Sequence, residues 1–170
     1  MEIDFLTEDD AWRALPEREA LARRAARAVF EVLERPEPPS ELSIVFTGDS
    51  AVADLNRHWR GKAGPTNVLS FPAAGAAGGG QPGTLGDIVL AAGVVAAEAG
   101  DQGKPLANHT AHLVVHGLLH LLGYDHAEDA TAEAMEGLEV QAMARLGLPD
   151  PYEEATAPGR KVRPELLDER

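Results

Sequence analysis

The chain has 170 residues, a formal net charge of −13 and no cysteine. That length suits one domain with a real core. The absence of thiols excludes disulfides and thiolate metal sites, and the overall charge by itself argues against a nucleic-acid partner. No run reaches the roughly 20 apolar residues of a membrane-spanning helix. The acidic start Met1-Glu2-Ile3-Asp4 has no apolar signal core, so a cytoplasmic protein with no membrane partner is expected.

Met1 to Phe5 alternates weakly and reads as an edge strand. Pro16 opens an amphipathic helix to about Arg35, with Leu21, Ala25, Val29, Val32 and Leu33 on one face. Arg23, Arg24 and Arg27 fall on its polar side and read as a solvated face. Glu41 to Thr47 is a strand by composition. Gly48 and Asp49 turn the chain, and Asp49 or Ser50 is expected to N-cap a short helix through Trp59. Thr66 to Phe71, closed by Pro72, is a second strand, and Leu85 to Ala91 a third. Between them, Ala73 to Gly83 is rich in glycine and alanine and is expected to be mobile. A helix over about Ala92 to Ala99 follows, then a long one opened by Pro105. Ala130 to Leu146 is helical, with Met135, Leu138, Ala142, Met143 and Leu146 on its apolar side. From Pro149 the chain is charged and proline-containing, a tail expected to fray. The order predicts an α+β fold, a small mixed β-sheet with helices packed on it. Residues 1–148 are expected to form a single catalytic domain and 149–170 a flexible tail.

The long helix carries the chemistry. His116, His120 and His126 stand in the run His116-Gly117-Leu118-Leu119-His120-Leu121-Leu122-Gly123-Tyr124-Asp125-His126, an H-x3-H-x5-H pattern. Residues four apart share a helix face, so two imidazoles can reach one ion at about 2.0–2.1 Å each. His112 lies on the same face, but the rise from His112 to His120 is about 12 Å, too long for a shared ion without strain. Gly123 can take a positive φ, end the helix and let the chain bring His126 back towards the pair. The expected ligand set is therefore His116, His120 and His126, with His112 a packing or supporting neighbour. His109 and His58 are expected at the surface or in support.

A metallopeptidase of the H-E-x-x-H type needs a glutamate after the first histidine as its base. Here that position is Gly117. The pattern keeps a metal site and removes the peptidase's proton handler, which points to hydrolysis of another bond or to a base from elsewhere. The charge distribution adds a clue: from Leu55 to Gly86 there is no acid, yet Arg57, Arg60 and Lys62 are present. This basic island in an acidic chain offers cations to an anionic substrate.

The run HGLLHLLGYDH, with LNRHWRGKAGPTNVLSFP from Leu55 to Pro72 and LGDIVL from Leu85 to Leu90, resembles the signature of the YbeY family of bacterial endoribonucleases. The resemblance covers most of residues 41 to 146 and implies a metal-dependent, single-strand-specific endoribonuclease. It implies action in 16S ribosomal RNA 3′-end maturation and ribosome quality control, with ribosomal RNA and the small subunit as partners. It further implies that His116, His120 and His126 bind one divalent metal ion, Zn2+, and that Arg60 is functional. Arg60 and His116 are thus the candidate catalytic residues. Lys62 and Arg57 are weaker candidates for backbone contacts. Asp125 is a candidate to orient a histidine or cap a turn, and Asp87 to hydrogen-bond near the site or face solvent. The alternatives are a metallopeptidase-like hydrolase with its base outside the helix, and a non-enzymatic ribosome-assembly factor with a structural zinc.

Overall fold

The computed structural model describes residues 1–73 and 83–153. The expected mobile Gly/Ala segment therefore falls mostly outside the described residues, as does the tail beyond residue 153. The elements are β1 (Glu2–Thr7), a 3-10 turn (Asp10–Ala14), α1 (Arg18–Val32), β2 (Glu41–Thr47) and α2 (Asp49–Arg60). They continue with β3 (Val68–Pro72), β4 (Thr84–Ala91), α3 (Ala92–Asp101), α4 (Leu106–Leu121) and α5 (Asp129–Arg145). The strand order is β1-β2-β4-β3. β1 and β4 both run parallel to β2, and β3 runs antiparallel to β4 at the edge. The fold is α+β with a mixed sheet, as the element order predicted.

Strand alternation decides which helices each face receives. Leu42, Ile44 and Phe46 of β2 and Ile88 and Leu90 of β4 enter the main core with residues of α1, α4 and α5. Their neighbours Val89 and Ala91 face the other way and meet Val52 of α2 in a smaller cluster. α4 is buried along almost its whole length. This explains its unbroken apolar composition: it lies between the sheet, α1 and α5 rather than on a surface.

Two local expectations are corrected. Gly48, not Asp49, is the N-cap of α2, and Asp49 is its first helical residue. The Asp49 carboxylate instead accepts from the amides of Gly93 and Val94 at 2.9 and 3.1 Å, so it caps the start of α3. The predicted tail begins with a docked segment, since Pro151 and Tyr152 are buried.

Candidate metal centre

α4 ends as the sequence predicts. Gly123 takes φ +101°. Its amide donates to the His120 carbonyl and the Tyr124 amide to the Leu119 carbonyl, both at 3.0 Å. This is a Schellman ending, in which a glycine in left-handed geometry satisfies the last carbonyls. The chain then reverses. Asp125 accepts from the Ala127 amide at 3.3 Å and so fixes the turn.

The reversal brings His126 to the two helical histidines. Ligand atoms of His116, His120 and His126 lie within 4.8 Å of one another. His116 is buried and the other two are half-buried, so the cluster opens to solvent on one side. His112 stands outside it, as expected.

A buried carboxylate that sequence reasoning missed organises the cluster. Glu139 of α5 is fully buried. Its Oε2 lies 2.7 Å from His116 Nδ1 and its Oε1 2.9 Å from His112 Nε2. Burial alone would raise its pKa, but the hydrogen bonds from His112 and His116 outweigh that and hold the carboxyl well below its usual range. An ionised carboxylate only accepts, so each histidine presents an N–H to it. His116 thus turns Nδ1–H to the carboxylate and Nε2 towards His120. Burial pushes the His112 imidazole down, which keeps it neutral.

The geometry suits a metal ion. His116 Nε2 and His120 Nε2 face each other at 3.1 Å. Bonds of 2.0–2.1 Å to a tetrahedral ion would set two ligand nitrogens about 3.3 Å apart. A carboxylate behind a ligand histidine is the usual support for such a ring. The cluster among the described residues has three members, the number that catalytic zinc sites draw from protein. His112 is committed to Glu139 instead of serving as a fourth.

Gly117 acquires a packing reason. A Cβ there would lie 3.0 Å from Ser70 Oγ and 3.1 Å from Ile88 Cγ2. The position that would hold a peptidase's glutamate therefore faces β3 and β4, not the histidine cluster. Ser70 Oγ donates to the Gly117 carbonyl at 3.1 Å, which ties the edge strand to α4 beside His116.

Arg60 is the last residue of α2. Its Nη2 donates to the Ser70 carbonyl at 2.6 Å, and its guanidinium sits 5.4 Å from the Phe71 ring centroid. Ser70 therefore links Arg60 to the histidine helix through two hydrogen bonds. Arg57 is paired with Asp54 at 3.0 Å on an exposed face, and Lys62 is exposed. Asp87 is exposed and opens, with Glu8, Trp59 and Phe71, onto a groove on the α2 side of the sheet. His58 is exposed, as expected. His109 is not a surface residue: it is buried and its Nε2 lies 2.7 Å from Glu98 Oε1. Sequence spacing could not place it because its partner comes from α3.

Fold and site together define an α+β protein whose three convergent imidazoles can hold a metal ion. The family model described as Endoribonuclease YbeY matches residues 6–147. A protein named Endoribonuclease YbeY from Azorhizobium caulinodans is 52% identical over 154 residues, covering 89% of this chain and 96% of its own. One of the same name from Rhodopseudomonas palustris is 49% identical over 146 residues, covering 84% and 87%. The solution structure of TM1509 from Thermotoga maritima superposes with a TM-score of 0.52 over 85% of this chain and 91% of that one. At 22% identity that likeness speaks for the fold. The chain belongs to the YbeY endoribonuclease family.

Proposed function

We propose that this protein is a single-strand-specific, metal-dependent endoribonuclease of the cytoplasm, acting in 16S ribosomal RNA 3′-end maturation and ribosome quality control. One observation carries the reading: three imidazoles converge within 4.8 Å in a chain of an endoribonuclease family. In this reading His116, His120 and His126 hold one Zn2+ ion and residues 1–148 form the catalytic domain. When bound, such an ion supplies a Lewis acid for a phosphoryl oxygen and lowers the pKa of bound water towards about 7.

The chain's own residues do the rest. Glu139 keeps the His116 proton on Nδ1 and so presents Nε2 to the ion. Arg60, fixed at one nitrogen by the Ser70 carbonyl, directs a guanidinium fork at the non-bridging oxygens of a phosphodiester. Negative charge grows on those oxygens as the phosphorus is attacked, so a fixed cation favours the transition state over the ground state. Single strands suit an open site of this kind, because an unpaired backbone can bend into it.

The test is cleavage of fragments from the 16S 3′ end, offered as single strands and as duplexes, before and after chelation. Cutting of single strands alone, lost on chelation and in His116→Ala, is expected. Cleavage that persists unchanged in both would overturn the proposal.

A further inference from the structure

The segment after α5 does not simply leave the fold. Asp150 Oδ1 accepts from the Tyr152 amide at 2.8 Å, and the Glu153 amide donates to the Asp150 carbonyl at 3.2 Å, which closes a tight hook. Lys104, in the connection between α3 and α4, donates through Nζ to the Pro151 carbonyl and latches the hook from outside. At its inner end the Tyr152 hydroxyl donates to Glu139 Oε1. The Tyr152 ring stands edge-on to His112, with centroids 5.4 Å apart. Pro149, Asp150, Pro151 and Glu153 also line a cavity of about 240 Å³ together with Lys104, His109 and His112.

Glu139 is thus a carboxyl group buried among three polar partners, His112 Nε2, His116 Nδ1 and the Tyr152 hydroxyl. Two come from the helix that carries the cluster. The third comes from a segment that lies beyond the last helix, held by a lysine 47 positions before Pro151 in the chain. Loss of that donor leaves Glu139 Oε1 held by His112 alone, so the buried carboxylate turns to recover a second donor. Rotation of the carboxylate moves the oxygen that orients His116.

We infer that Tyr152 is a positioning residue for the metal centre, acting through Glu139 on His116, and that the Lys104-latched hook Asp150-Pro151-Tyr152 is a working part of the site. This rests on the proposal that the three histidines bind metal. Groups supporting a ligand histidine typically change metal affinity by about 10–100-fold when removed. Tyr152 acts one step further out, so the lower end of that range is expected.

The experiment measures Zn2+ affinity of the full chain by competition with a chromogenic chelator, and the visible spectrum of the Co2+-substituted protein. Tyr152→Phe keeps the ring and removes the hydroxyl. It is expected to weaken Zn2+ binding about 10-fold and to alter the Co2+ bands. Lys104→Met, which frees the hook without touching Glu139, is expected to act in the same direction and carries the test if Tyr152→Phe does not fold. Val95→Ala, a core change in α3, lowers stability and is expected to leave both readouts unchanged. Wild-type affinity in Tyr152→Phe, or an equal loss in Val95→Ala, overturns the inference. A wild-type protein that takes up no Zn2+ overturns the metal-centre reading itself, which is a separate result.

Discussion

Glu139 Oε2 and His116 Nδ1 meet at 2.7 Å in a fully buried contact between α5 and α4. The pair fixes the orientation of the central imidazole, with Nδ1 on the carboxylate and Nε2 facing His120. A carboxylate buried this deeply is stable only because donors surround it. The cost of burying it is offset by the same hydrogen bonds that aim the imidazole.

Arg60 should matter for turnover more than for folding. Its guanidinium is only partly buried, and the helix it ends is capped by Gly61 at φ +67° regardless of the side chain. Arg60→Ala is expected to lower kcat on single-stranded RNA by about 10²–10³ with the melting temperature nearly unchanged. Arg60→Lys keeps the charge but loses the planar fork, so it should recover only part of the rate. Steady-state kinetics on one oligonucleotide compares all three proteins.

Gly117 tests the packing account. Alanine there gains about 1 kcal/mol of helix propensity but pushes a methyl against Ser70 and Ile88, a clash of roughly 1–3 kcal/mol. Urea unfolding of Gly117→Ala should show a small net loss, within about 2 kcal/mol on these figures. Gly117→Glu drives a carboxylate into the same contact and should not yield folded protein, still less a peptidase.

Asp49 separates stability from activity. It caps α3 from α2, so Asp49→Ala should cost about 1 kcal/mol, the usual worth of a cap. RNA cleavage by the folded variant should match the parent. A loss of activity beyond the loss of stability would show that α3 reaches the site.

His112 gives a pH dependence of defined sign. Burial holds its folded pKa below the ordinary value, so between that lowered pKa and about 6.5 the unfolded chain binds a proton that the folded one does not. Stability from this group is therefore complete above about pH 6.5 and falls as the pH drops through the folded pKa. Urea midpoints at pH 7.5, 6.5 and 5.5 should decline more steeply for the wild type than for His112→Gln. Parallel declines would mean that His112 is not the group responsible.

What could be read from the sequence was local. The H-x3-H spacing and Gly123 act within one helix and its ending, so the convergence of the three histidines and the chain reversal followed from backbone geometry. Glu139 was not read, because its meaning depends on which helix faces α4. A faint signal existed: it shares the buried stripe with Met135, Ala142 and Met143, and an acid on such a stripe needs a partner. Asp49 misled in the opposite way. A residue placed to cap its own helix serves α3, more than 40 positions later in the chain. Tyr152 lay in a stretch whose charge and prolines suggested fraying, and only the hook turned by Asp150 buries it. Arg60 stood out by charge, but its tether to Ser70 is tertiary.

The most direct test of the central claim is metal reconstitution. Protein stripped by chelation and dialysed would receive Zn2+ in fractional equivalents, with cleavage of a single-stranded 16S fragment assayed at each step. The account predicts no cleavage in the stripped protein, a linear rise to a plateau at one equivalent, and no rise in His120→Ala or His126→Ala. Full activity in stripped protein confirmed free of metal, or equal recovery in the histidine variants, would contradict it.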